Sequence, residues 1–258
     1  MTNSAAKERP ILFNGDMVRA ILDGRKTQTR RLIKPQPFNG ASDEEAIKQI
    51  GGLPPGRSLY QEVNSAWQSG FVDINCPCGE PGDRLWVRET WWQAGDWVTA
   101  YPEDDESHWA GSNRIHFAAD GNPPNEPNYH HPDGLQNGSF AAAHPHRVWR
   151  KRPSIHMPRW ASRITLEIAA IRIQRIQDIS EEDAKAEGLR WHSFYREWGG
   201  VELHPDSRPD LPLWRWYDNP VEAFKNLWES ISGAGSWDQT PWVWVIEFRR
   251  INQAEVAA

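Results

Sequence analysis

The segment Gly24-Arg25-Lys26-Thr27-Gln28-Thr29-Arg30-Arg31 concentrates residue types that can do chemistry. Lys26 stands among Arg25, Arg30 and Arg31, and like charge together with burial lowers a lysine pKa towards neutrality. A neutral lysine can serve as a base. Glu187 lies just before Gly188, at the C-terminal end of an expected helix. A carboxylate there opposes the helix dipole by about 0.3–1 kcal/mol. If it faces a pocket, dipole and burial raise its pKa, which suits an acid that must hold a proton near neutral pH. The alternative is a solvated surface glutamate. On the dipole argument alone, Glu187→Gln is expected to leave stability within about 1 kcal/mol, or to improve it.

Other constellations carry less. Cys76 and Cys78 sit in Cys-Pro-Cys-Gly, and His130, His131, His144 and His146 are the candidate co-ligands for zinc. There is no second Cys-x-x-Cys and zinc spacing is not met, so the segment reads as a turn and no metal is expected. Arg147, Arg150, Lys151, Arg152, Arg159 and Arg163 surround Trp149 and Trp160. Basic residues interleaved with aromatics are the pattern of single-stranded RNA sites, and equally of a solvated face. Glu89 follows Leu85 and Val87 on one strand face, pointing either into a polar pocket or simply out of a strand end.

The elements that must position these groups follow from periodicity. Ile11 to Phe13 reads as a first strand. Asn14 or Asp16 caps a helix with apolar Met17, Val18, Ala20, Ile21 and Leu22, closed by Gly24. A strand enters near Leu32, and Gly82-Asp83 turns into another over Leu85 to Trp92. Arg163 to Ile176 is a long strand whose apolar phase shifts near Ala169 and Ala170, as at a bulge. Ser180-Glu-Glu-Asp183 opens a short helix. Pro220 starts a helix with Phe224, Leu227, Trp228 and Ile231 on one face. Trp242 to Ile251 is the final strand, with Trp242, Trp244, Ile246 and Phe248 sharing a face. Loop-rich insertions are expected at about 35–80, 101–150 and 190–217, with only Arg114 to Ala118 strand-like in the second. The expected fold is α+β, mainly β: a small antiparallel barrel with flanking helices and long loop insertions.

With 258 residues, one large domain accommodates the chain. A net charge of −6 disfavours a general nucleic-acid coat or membrane-surface binder. Two cysteines are too few for a disulfide scaffold, and no window approaches a membrane span, so a reducing cytoplasm is the expected location. The 16 Trp are unusual, and most are expected to build core and loop anchors.

Three motifs combine in order: Gly24 to Arg31 after a helix, Gly82-Asp83-Arg84-Leu85-Trp86-Val87, and Ile179-Ser-Glu-Glu-Asp-Ala-Lys-Ala-Glu187 ahead of Val245-Ile-Glu-Phe248. This order resembles the ASCH superfamily, which shares the PUA-like barrel, and in particular the small bacterial N(4)-acetylcytidine amidohydrolases. The likeness covers about half the chain, as a single domain over 1–258. The insertions resemble those of larger phage-associated ASCH proteins, in which Ser154-Ile-His-Met-Pro-Arg-Trp-Ala-Ser162 also recurs. The resemblance implies a catalytic Lys, Thr and Glu, which fall on Lys26, Thr29 and Glu187. The expected substrate-binding side chains are Asn14, Arg31, Arg88, Glu89 and Trp160.

The resemblance thus implies removal of acyl groups from the 4-amino group of a small-molecule nucleoside of the cytidine type, with no metal or organic cofactor. Lys26 would deprotonate Thr29, or Thr29 would only orient an attacking water, while Glu187 passes a proton to the departing amine. A turn or bulge is expected between Lys26 and Thr29, since an odd separation on a regular strand sets side chains on opposite faces. The rival is a non-catalytic RNA-binding module, favoured by the basic stretch at 147–163.

Overall fold

A computed structural model describes residues 6–40, 42–101, 104–135, 138–142, 147–202 and 214–252. Along the chain run β1 (Glu8–Leu12), α1 (Gly15–Leu22), β2 (Gln28–Leu32), α2 (Asp43–Gln49), α3 (Leu59–Gln68), β3 (Arg84–Arg88), β4 (Trp91–Tyr101) and β5 (Asp104–Phe117). They are followed by β6 (Phe140–Ala141), β7 (Val148–Arg152), β8 (Thr165–Arg175), α4 (Glu181–Ala186), β9 (Arg190–His192), β10 (Glu197–Glu202), β11 (Trp214–Tyr217), α5 (Pro220–Ser232) and β12 (Trp242–Ile251). The fold is α+β with more strand than helix. Two compact units divide it, one of Met1–Arg9, Ala20–Leu85 and Leu166–Ala258, the other of Pro10–Arg19 and Trp86–Thr165.

The larger unit is built on a five-stranded sheet in the order β1-β3-β8-β12-β2. β12 pairs antiparallel with β2, setting Ile246 opposite Thr29 and Val245 opposite Arg30. Every residue from Trp242 to Ile246 is buried, so this strand is covered on both faces rather than one. Trp244 packs edge-on against Trp67 of α3 at 5.0 Å, and Trp242 against Phe38 at 5.6 Å. Tryptophans bury roughly 150–250 Å² each, so these two side chains dominate the local hydrophobic stabilisation. In β8 the buried positions run Leu166 and Ile168, then Ile171 and Ile173, the expected change of phase. β11, β10 and β9 form a separate three-stranded sheet.

Two expectations for this unit are corrected. The sheet is open, with β1 and β2 at its edges, and the sheets are not closed into a barrel. The first insertion is not mainly loop, because it holds α2 and α3. Ser58 and Gln61 form a capping box at the start of α3, and Asn64 ties the helix to β8 through bonds with the Ile173 backbone at 2.7 and 2.8 Å.

The Gly82-Asp83 motif has a local cause. Asp83 accepts backbone N–H bonds from Lys7 at 2.9 Å and Glu80 at 3.2 Å, and Gly82 donates to the Ile168 carbonyl at 2.8 Å with a φ of +92°. A carboxylate that satisfies otherwise orphaned donors fixes a turn, so Asp83 is a structural residue.

The smaller unit carries a sheet in the order β5-β4-β7-β6. Here the expectation of a loop-rich second insertion is also corrected, since β4 and β5 form a long hairpin. Trp91 stands opposite Phe117 and Trp97 opposite Trp109, whose rings meet edge-on at 5.7 Å. Cross-strand aromatic pairs of this kind stabilise the hairpin. Trp92, Ala94, Ala142 and Trp149 make one buried cluster, and Trp91, Met157 and Ala161 another. Of the candidate zinc ligands, His144 and His146 lie outside the described residues.

Candidate active site

In the larger unit, α1 ends in an αL turn at Gly24, φ +75°, and the backbone N–H groups of Arg25 and Lys26 both donate to the Ala20 carbonyl. The chain leaves this turn extended. Lys26 forms an isolated antiparallel bridge with Glu187, Thr27 donates to the Ala186 carbonyl, and Phe248 donates to the Thr27 carbonyl. Pairing with β12 therefore continues past the end of β2 to Thr27. Thr27, between the Lys26 bridge and β2, turns its N–H to Ala186 and its carbonyl to Phe248, so the chain from Lys26 to Thr29 is not one regular strand; from Gln28 on, strand alternation governs the side chains.

Positions 26, 28 and 30 consequently share one face, towards α4. Lys26 Nζ donates to Glu187 Oε2 and to the Glu187 carbonyl, both at 2.8 Å. Gln28 donates to the Asp183 carbonyl at 2.6 Å. Arg30 spans both acids, reaching Glu187 Oε1 at 3.0 Å and Asp183 Oδ2 at 2.7 Å. Asp183 Oδ2 also accepts from Arg172 at 2.6 Å, and Arg172 bonds Glu247. Alternating charges thus run Lys26, Glu187, Arg30, Asp183, Arg172, Glu247. The side chains of Lys26 and Glu187 are 0% and 3% exposed, so the inner end is sealed.

The α4 end shows why the sequence permits this. Ser180 Oγ accepts from Asp183 N–H and caps the helix, while Glu187 is its C-cap residue. Gly188 follows with a φ of +98°, and a Cβ there would lie 2.8 Å from Ala20 Cβ and 2.9 Å from Lys26 Cβ. Only glycine lets Lys26 pass this closely. Arg25 donates to the Gly188 carbonyl at 2.7 Å, satisfying the helix end with a cation.

Burial lowers the Lys26 pKa from its ordinary value. Glu187 opposes this by charge and hydrogen bond, and Arg31 and Arg30 add to the lowering. Burial pushes the Asp183 carboxyl up, but the Arg30 hydrogen bond and the charges of Arg30 and Arg172 outweigh it and hold it below the usual range. A destabilised ammonium in direct contact with a carboxylate is an arrangement suited to passing a proton between Nζ and Oε2.

Of the other expected site residues in this unit, Thr29 is buried in β2 but alternates away from Lys26. Arg31 shares the Thr29 parity, is half-buried, and lies within electrostatic reach of Glu187 and Cys78. Arg30 and Asp183 were not expected in the site. The period-two spacing of 26, 28 and 30 is the signal that would have found Arg30.

The remaining candidates belong to the smaller unit. Asn14 Oδ1 accepts from Met17 N–H at 2.9 Å and caps α1. Asn14, Asp16, Arg19, Glu89, Thr90 and Lys151 line a cleft of about 310 Å³. Glu89 is buried and takes two bonds from Arg163, at 2.9 and 3.0 Å, while Arg163 also bridges to Asp120. Burial raises the Glu89 carboxyl despite Arg163. Arg88 donates to the Met157 carbonyl at 3.0 Å and stacks on Trp86 at 4.9 Å, outside this cleft. Trp160 is 54% exposed and packs edge-on against Trp91 at 6.0 Å. Among the described residues no group of three or more His, Cys, Asp and Glu is placed to hold a metal ion. No family model, curated protein or solved structure matches the chain.

Proposed function

We infer that the chain is an amidohydrolase of the ASCH type, cleaving the N(4)-acyl amide of acylated cytidine nucleosides to cytidine and a carboxylate. The observation that carries this reading is the sealed Lys26–Glu187 pair at 2.8 Å, with Lys26 pulled below its ordinary pKa by burial. Lys26 takes a proton from the attacking group, and Glu187 delivers one to the departing 4-amino group. The alternation of β2 sets Thr29 on the other face, which favours direct attack by water over a threonine nucleophile activated by Lys26. The pair holds α4 against β2 in this closed form, so the nucleoside reaches it only after the cluster opens. Purified protein incubated with N(4)-acetylcytidine in the presence of EDTA should release cytidine. Absence of cytidine overturns the reading, and activity only when EDTA is omitted overturns its metal-independent part.

A second reading, a non-catalytic RNA-binding module, is favoured by the exposed Trp160 within a basic segment. It requires binding of single-stranded RNA that weakens steeply with salt, together with no turnover of acylcytidines.

A further inference from the structure

Cys76 and Cys78 are both free and both half-buried. They sit on a tight turn closed by Gly79 N–H donating to the Cys76 carbonyl at 3.2 Å, with Pro77 at the first corner position. The turn is held from beneath. Gly79 is buried with a φ of +116°, and a Cβ there would meet the Asp83 carboxylate at 2.4 Å. Asp83 in turn binds the N–H groups of Glu80 and Lys7. The two thiols are therefore presented side by side on a fixed support, and their side chains hydrogen-bond each other. The charges of Arg31 on β2 and Arg9 on β1 act on Cys78, and Arg9 Nε lies 4.0 Å from Asp83.

We propose that Cys76 and Cys78 are a redox-active dithiol whose substrates are low-molecular-weight disulfides, with Cys78 the attacking thiolate and Cys76 the resolving thiol. Cα atoms two residues apart are separated by at most about 7 Å, and by less in a turn, so the window of about 4.4–6.8 Å for a disulfide is reached without rearrangement of the chain. A bridge closing so small a loop restricts the unfolded chain little, so it is not a structural staple. Among the described residues no third ligand accompanies the two thiols.

The two sulfurs are differentiated as such a pair requires. The hydrogen bond from Cys76, together with Arg31 and Arg9, lowers the Cys78 thiol to about 7 against the opposing effect of burial. The same hydrogen bond and burial push the Cys76 thiol up. Cys78 thiolate attacks one sulfur of the small disulfide, forms a mixed disulfide and expels one thiolate. Cys76 then loses its proton and attacks the Cys78 sulfur, forming the Cys76–Cys78 bond and expelling the second thiolate. Two protein thiols are oxidised while one small disulfide is reduced to two thiols. No other oxidant is needed.

The native full-length chain with a single equivalent of the aromatic disulfide 5,5′-dithiobis(2-nitrobenzoate) at pH 7 tests this. The expected result is two chromophoric thiolates released per chain and a protein mass lower by two hydrogens. Cys76→Ser should stop at a stable mixed disulfide with one thiolate released. Cys78→Ser should slow the first step by about tenfold, the scale set by losing a thiol that is half ionised at pH 7. The proposal is overturned if the native chain stops at a mixed disulfide with one thiolate released, if neither cysteine reacts before denaturation, or if Cys78→Ser reacts as fast as the unaltered chain.

Discussion

Replacing Glu187 by Gln separates two opposed energies. The charge sits at the C-terminal end of α4, and removing it relieves an unfavourable dipole interaction of about 0.3–1 kcal/mol. That estimate by itself leads to the expectation of unchanged or improved stability. The structure reverses it, because the carboxylate accepts from both Lys26 and Arg30 inside a sealed cluster. Removing one partner of a buried ion pair costs roughly 3–5 kcal/mol, since the remaining charge stays desolvated. Glutamine keeps one acceptor oxygen for one cation but turns an N–H₂ donor towards the other. The balance is a loss of roughly 2–4 kcal/mol. With a urea slope of about 3 kcal/mol per molar, the unfolding midpoint followed by tryptophan fluorescence should fall by about 1 M. A double-mutant cycle with Lys26→Met should return a coupling of about 1–3 kcal/mol. A midpoint that stays or rises, or a cycle with no coupling, would refute the claim that this pair fastens α4 to β2. On the folded fraction, cytidine release should drop at least about a hundredfold.

Thr29→Ala should slow cytidine release less than Lys26→Met does; equal losses in two folded variants would restore Thr29 as the nucleophile. Gly188→Ala should cost at least about 2 kcal/mol in denaturant titrations, since it combines a positive φ with contacts against Ala20 and Lys26. A neutral outcome would mean that the close approach of Lys26 is dispensable. Asp183 has a folded pKa below its unfolded value, so its stabilising contribution is complete above the unfolded carboxylate range and disappears as pH falls through the folded value. Asp183→Asn should flatten the acid limb of the stability curve. Lys26 has linkage of the same sign in a more alkaline window: between its lowered folded pKa and 10.5 the unfolded chain binds more protons, so its contribution makes stability rise with pH there. Lys26→Met should remove that alkaline rise.

The elements that were legible in the sequence are those with local signals. The final strand runs from Trp242 to Ile251 as expected, although its first half is buried on both faces, and α5 begins at Pro220 behind an Asn219 cap. The Ser180 cap marked α4 to the residue. α3 was hidden although its capping box, Ser58 with Gln61, was present, because Pro54-Pro55-Gly56 just before it read as continuing loop. The β4–β5 hairpin was missed because Asp104, Asp105, Glu106 and Ser107 are poor strand formers, and what secures it is ring packing across strands. The site itself had no local signature. Lys26 and Glu187 lie 161 positions apart, and their contact depends on α4 docking beside β2. Residue types alone offered a lysine among arginines and a glutamate at a helix end. Family likeness suggested that they act together, whereas the position of Thr29 followed from β2 pairing that neither source specified.

The chain of charges from Lys26 to Glu247 also grades from dry to wet. Side-chain exposure rises from 0% at Lys26 and Arg30, through 25% at Asp183 and 31% at Arg172, to 42% at Glu247. Dissolved ions screen exposed charges within about 8 Å at physiological strength and scarcely reach buried ones. Added salt therefore loosens the grip of Arg172 on Asp183, in the first turn of α4, while leaving the grip of Lys26 on Glu187 at its last. Rising ionic strength therefore bears unequally on this short helix: it weakens the Arg172 contact at the first turn, while Arg30 still holds Asp183 and the last turn is insensitive.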